Sequence, residues 1–213
     1  MSGPRRAGPV SIPERPKGLP YADGGDFDAR AILEERGEAT DPASLVGVLR
    51  EGEPMLQAAA ARTLGADGHA EAADALRRLT ADGAAEEVAR AQAAYALARL
   101  GLDEGREALV ELLDVPREAS PASLVAAGAL ARLGDARGLA LVRAELRAKG
   151  GAWATVAVQQ LHAFLPLAGG AADADVVYEV AGLALAHGSE AVRTEAQLQL
   201  SDEQVERARA AAR

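Results

Sequence analysis

The chain has 213 residues, a formal net charge of −9 and no cysteine, and aromatic residues make up only 3% of it. The missing cysteine excludes disulfides, thiol nucleophiles and cysteine-based zinc sites, and an alanine-rich mixture with few β-branched residues favours helix. Residues 1–20 carry Arg5, Arg6, Arg15 and Lys17 against Glu14, which leaves −12 on the rest of the chain; so acidic a body repels phosphate backbones and argues against nucleic acid as a partner.

Prolines at 4, 9, 13, 16 and 20 crowd the first twenty residues. Proline fixes φ and removes a backbone donor, so residues 1–25 are expected to form a disordered or polyproline-like Pro/Gly-rich arm. Within it, VSIPERPKGLPY (10–21) has the composition of a linear motif that docks on a partner. No apolar core follows the early arginines, so a secretory signal is not expected there, and a cytoplasmic protein is the natural reading. FDARAILEERGE (27–38) predicts a short lead-in helix within 26–40.

From residue 41 onward the sequence is written as short helices. Asp41-Pro42 and Ser120-Pro121 each pair an N-cap with a proline at the first helical position. Gly188-Ser189 stops one helix on a glycine and starts the next on a hydroxyl cap. Ala72, Ala75, Leu76 and Leu79 fall on one helical stripe. No strand-like alternation of comparable length competes. The helices predicted are 42–51 with 53–64, 70–80 with 85–99, 105–113 with 121–132, 138–148 with 152–165, and 175–187 with 190–200. QVERARAAAR (204–213) begins a further helix whose charged outer face suits the end of an array.

The pairs echo one another. AAYALARLGLDE (93–104) and AAGALARLGDAR (126–137) stand 33 positions apart. Leu64, Leu97 and Leu130 share that spacing. Alanine precedes each by three positions (Ala61, Ala94, Ala127), and an apolar residue follows twelve later (Leu76, Leu109, Val142). Gly65 or Gly68, then Gly101, then Gly134 mark the breaks, and Leu165 and Leu200 continue the pattern weakly at a spacing of 35. A fixed period of this size implies a two-helix unit too small to bury its own face, completed by stacking on its neighbours.

These residues resemble the HEAT-like repeat of phycobilin lyase subunits and many bacterial scaffold proteins. Its consensus runs roughly V-R-x-x-A-A-x-A-L-G-x-L-G-D. Ala89-Arg90, Ala93-Ala94, Ala96-Leu97 and Leu100-Gly101 match it, as do Ala126-Ala127, Ala129-Leu130 and Leu133-Gly134-Asp135, with Ser123 in place of the arginine. Gln57 holds that position in the first unit, and Val192-Arg193 with Ala196 and Leu200 is a fainter match. The resemblance implies an all-α, α-α superhelix of about five helix pairs, with residues 41–213 as the repeat domain. It further implies that Arg90, Arg193 and Asp135 brace neighbouring repeats.

Chemistry is harder to find. His69, His162 and His187 never share a helix face in a metal-binding spacing, and no phosphate loop or nucleophile elbow is present. Adjacent carboxylates such as Glu34-Glu35 and Glu86-Glu87 diverge on a helix. Residues 151–172 carry no charge, but Gln159, Gln160, His162 and Pro166 interrupt them, so a buried helix with one partner-facing side is expected rather than a membrane span. The expectation is therefore a non-catalytic scaffold or adaptor with no cofactor, binding another protein on the face of the second helices. Gln57, Arg90, Tyr95, Trp153, Gln159, Gln160 and Arg193 are the candidate partner-binding residues. The alternative is a bilin-lyase-like or chaperone-like subunit acting on an acceptor protein.

Overall fold

The computed structural model describes residues 28–116, 120–148 and 151–212; the expected arm at 1–25 and its docking motif lie outside them. Among the described residues there are twelve α-helices and no strand. A lone helix α1 (Ala29–Glu35) comes first. Five pairs follow: α2 (Pro42–Glu51) with α3 (Pro54–Asp67), α4 (Ala73–Ala81) with α5 (Glu87–Arg99), and α6 (Asp103–Leu112) with α7 (Ala122–Arg132). The remaining pairs are α8 (Leu139–Arg147) with α9 (Ala154–Phe164) and α10 (Ala174–Leu185) with α11 (Glu190–Gln199), after which comes α12 (Asp202–Ala211). Each second helix packs on the next, α3 on α5 and so on to α11, making one layer of an α-solenoid.

The two layers differ in how much of each helix they bury. The first helix α4 buries only Ala75, Leu76 and Leu79, a single stripe. The second helix α5 buries Ala89 and every residue from Ala91 to Leu97. A helix apolar on all sides belongs between neighbours, and alanine keeps those neighbours close.

The repeated spacing has a backbone cause. The carbonyls of Leu64, Leu97 and Leu130 accept N–H bonds from His69, Leu102 and Asp135 at 3.0, 3.0 and 2.9 Å. Gly68, Gly101 and Gly134 take φ of 78°, 83° and 84° inside those turns, a left-handed cap that glycine adopts without strain. In the first unit the capping glycine is therefore Gly68. Gly65 serves packing instead, because a Cβ there would stand 2.6 Å from Ala96 Cα, and its absence lets α3 approach α5. The fourth pair breaks the spacing because Pro166 opens a 3-10 turn at Leu165–Leu167. The carbonyl that accepts the N–H five positions on becomes that of Leu167, bonded to Ala172 at 3.0 Å.

The repeated alanines are contact points as well. Gly105 at the start of α6 lies against Ala94 and Leu97. One period later, Gly138 before α8 lies against Ala127, the counterpart of Ala94, and a Cβ at Gly138 would be 2.5 Å from Ala127 Cα. Ala72, at the matching position of the first unit, is fully buried.

A single helix closes each end. At one end Arg30 reaches Asp67 at the C-terminus of α3 (2.7 Å) and Arg36 reaches Glu53 before its N-terminus (3.4 Å), so α1 runs antiparallel along α3. At the other end α12 packs on α10 through Gly182, where a Cβ would meet the Ala208 carbonyl oxygen at 2.6 Å. Arg207 lies over the Tyr178 ring. Ser201 and Gln204 start α12 with a reciprocal capping box.

Candidate functional site

The second-helix layer carries a groove of about 600 Å³ that crosses α3, α5, α7 and α9. The repeat period builds it. Glu53 and Glu86 stand at equivalent positions on its N-terminal rim, as do Met55, Val88 and Pro121, with Pro54 beside them. One turn further in, Ala58, Val125, Ala129 and Val156 make an apolar floor that Gln92 interrupts, with Gln159 and Gln160 closing the α9 side. Arg62 and Arg132 stand at the far rim, toward the helix C-termini. The groove is thus apolar along its length, with carboxylates on one edge and guanidinium groups on the other.

Three features mark its lining. Met55 is 56% exposed, a large apolar side chain left in water at the rim. Gln92 is buried, and its Oε1 has no hydrogen-bond partner among the described residues, an acceptor whose desolvation is uncompensated until a donor arrives. Both arginines are held in place: Arg62 stacks over Tyr95 with 4.5 Å to the ring centroid, and Arg132 donates to Gln160 Oε1 at 3.3 Å. A guanidinium already fixed by stacking or by a hydrogen bond loses less rotamer freedom when a carboxylate binds.

The sequence candidates divide. Gln159 and Gln160 line the groove. Tyr95 is 4% exposed and serves as the platform beneath Arg62. Gln57 and Arg90, one period apart, instead tie a second helix to the first helix of its own pair: Gln57 Nε2 donates to the Leu49 carbonyl at 3.1 Å, and Arg90 Nε to that of Thr80 at 3.1 Å. Arg193 donates to the carbonyls of His187 and Gly188 at 2.7 and 3.0 Å. The bracing implied for Arg90 and Arg193 is therefore within pairs. Asp135, in the turn after α7, holds Arg137 of the same turn and lies 3.9 Å from Arg106 of α6; the Arg137 hydrogen bonds hold its carboxyl below the usual range.

Trp153 stands just before α9 and packs, half-buried, on the core of the last pairs. Its backbone N–H donates to Glu145 Oε1 at 3.0 Å, and Glu145 is a buried carboxylate. The charge-free segment thus contributes Val156, Gln159 and Gln160 to the groove, not Trp153. Sequence reasoning missed Met55, Arg62, Gln92 and Arg132. The signal available for two of them was the period itself, since Met55 and Gln92 stand one period before Val88 and Val125, which share the groove.

His69 lies 3.1 Å from Glu71, and His187 Nδ1 accepts the Ser189 N–H at 3.1 Å. Among the described residues no three His, Cys, Asp or Glu side chains gather as a metal site. No helix among them is long and apolar enough to cross a membrane.

A family model of HEAT repeats matches residues 42–131, which span α2 to α7 but for the last residue. No curated protein and no solved structure matches the chain.

Proposed function

We propose that this chain, whose residues 42–131 match a family model of HEAT repeats, is a non-catalytic scaffold that holds a segment of a partner protein in the groove of the second helices. The observation that carries this reading is the groove's composition. An apolar floor with an exposed methionine and one uncompensated acceptor is flanked by opposite charges on its two edges. Such a surface recognises a polypeptide by apolar anchors for affinity and by charged edges for direction. It offers no converging acid, base and nucleophile. Gln159 and Gln160 are the candidate contacts retained from the sequence, joined by Met55, Arg62, Gln92 and Arg132.

Placing a photo-crosslinking residue at Val125 or Val156, and separately at Glu111 on the exposed side of α6, tests the reading in the full chain. One polypeptide captured from the groove positions and not from Glu111 is the expected result. Equal capture from both faces would overturn it. A covalent adduct formed when the protein is mixed with a bilin and an acceptor protein would overturn the non-catalytic part.

A further inference from the structure

The groove has a candidate occupant within the chain itself. Residues 1–27 lie outside the described structure, and the chain enters it at Asp28, just before α1. Because α1 runs antiparallel to α3, with Arg30 on Asp67, that entry point lies beside the C-terminal end of α3. Arg62 of the groove's basic rim precedes Asp67 by five positions, roughly 8 Å along the helix. The acidic rim at Glu53 is nine positions further back, roughly 14 Å.

The charges of that N-terminal segment fall in matching order. Reading back from Asp28, the chain presents Asp26 and Asp23, then Tyr21 and Leu19, then Lys17 and Arg15 with Glu14 beside them, then Ile12 and Val10. An extended chain advances about 3.1 Å per residue in the polyproline form. In that form Asp23 would come within reach of the Arg62 rim, and Lys17, about 19 Å further along, within reach of the glutamate rim. The apolar pair Leu19 and Tyr21 lies between them in sequence, matching the apolar floor at Ala58. Repeated prolines lower the conformational freedom lost on docking, and tethering raises the local concentration of the segment.

We propose that residues 10–23 dock in this groove in cis, acidic end toward Arg62 and basic end toward Glu53 and Glu86. The inference uses the same groove as the scaffold reading but needs no partner.

The chain supplies its own probe. It has no cysteine and Trp153 is its only tryptophan, so Ser11→Cys in the full chain accepts one dye that takes energy from Trp153, one turn from the groove residue Val156. The expected result is transfer that is independent of protein concentration. It is mostly lost on adding Arg15→Glu with Lys17→Glu and regained when Glu86→Lys is added to those. The two arm substitutions lie outside the described residues, and Glu86 is exposed. Transfer that survives the arm reversal overturns the proposal. So does loss without recovery, which would mean attraction to the acidic body in general. Transfer that grows with concentration also overturns it, because the segment would then lie on a second copy. Crosslinking of a partner from Val125 with no transfer from the arm would defeat this inference while leaving the scaffold reading intact.

Discussion

Two glycines in first helices give opposite expectations for one substitution. Gly105→Ala places a methyl group 2.7 Å from Leu97 Cβ and closer still to the Ala94 carbonyl oxygen and Ala98 nitrogen. Two of those three neighbours are backbone of α5, so relief requires α6 to move off α5. Overpacking of that kind costs about 1–3 kcal/mol, and the better helix propensity of alanine returns up to about 1 kcal/mol. A net loss of about 1–2 kcal/mol is expected. Gly47 in α2 is exposed, and a Cβ there meets nothing within 4 Å. Gly47→Ala should therefore stabilise by about 0.5–1 kcal/mol. Guanidinium unfolding followed by circular dichroism compares the midpoints, and amide exchange in α5 and α6 locates the damage, since a repeat array frays locally. A Gly105→Ala protein as stable as Gly47→Ala would falsify the close approach of α6 to α5.

Other outcomes follow from single contacts. Glu145→Ala removes the acceptor of the Trp153 N–H and should cost about 1–3 kcal/mol, with a shift in tryptophan emission; an unchanged spectrum and midpoint would contradict that role. Trp153→Ala should lower the melting temperature and leave partner affinity intact, because the side chain packs on the core outside the groove; lost affinity at an unchanged melting temperature would reverse that assignment. The Asp135 pKa is lowered chiefly by its hydrogen bonds with Arg137, so its contribution is present above the ordinary carboxylate range and is lost as pH falls through the depressed value. Stability of Asp135→Asn should accordingly fall less steeply on acidification than that of the parent; parallel curves would show that the Arg137 pair does not contribute.

The fold was legible because its cause is local and repeated. Leu64, Leu97 and Leu130 announced themselves by spacing, and the structure shows why: each carbonyl closes the same turn around a left-handed glycine. The groove was half legible. Choosing polar and aromatic residues that escape the leucine stripe found Gln159 and Gln160, but the same criterion selected Gln57, Arg90 and Arg193, whose hydrogen bonds go to carbonyls of their own helix pairs. Polarity at such a position does not say whether a side chain faces a partner or a nearby carbonyl. Met55 escaped notice because an apolar residue in a helix reads as core, and its exposure depends on where α3 stands in the layer. Arg62 acquires its place only through Tyr95, a full period further along the chain.

The separation of capping helices from repeating pairs has an evolutionary corollary. The contacts that join one pair to the next recur one period apart, from Gly105 on Ala94 to Gly138 on Ala127, whereas α1 and α12 make contacts of their own at the two ends. Duplicating one internal unit in frame would reproduce both faces of the joint it enters. The array would lengthen by one helix diameter, about 8–10 Å, and neither terminus would need a new surface. Such a chain could lengthen its recognition site by recombination alone, with the end helices inherited unchanged.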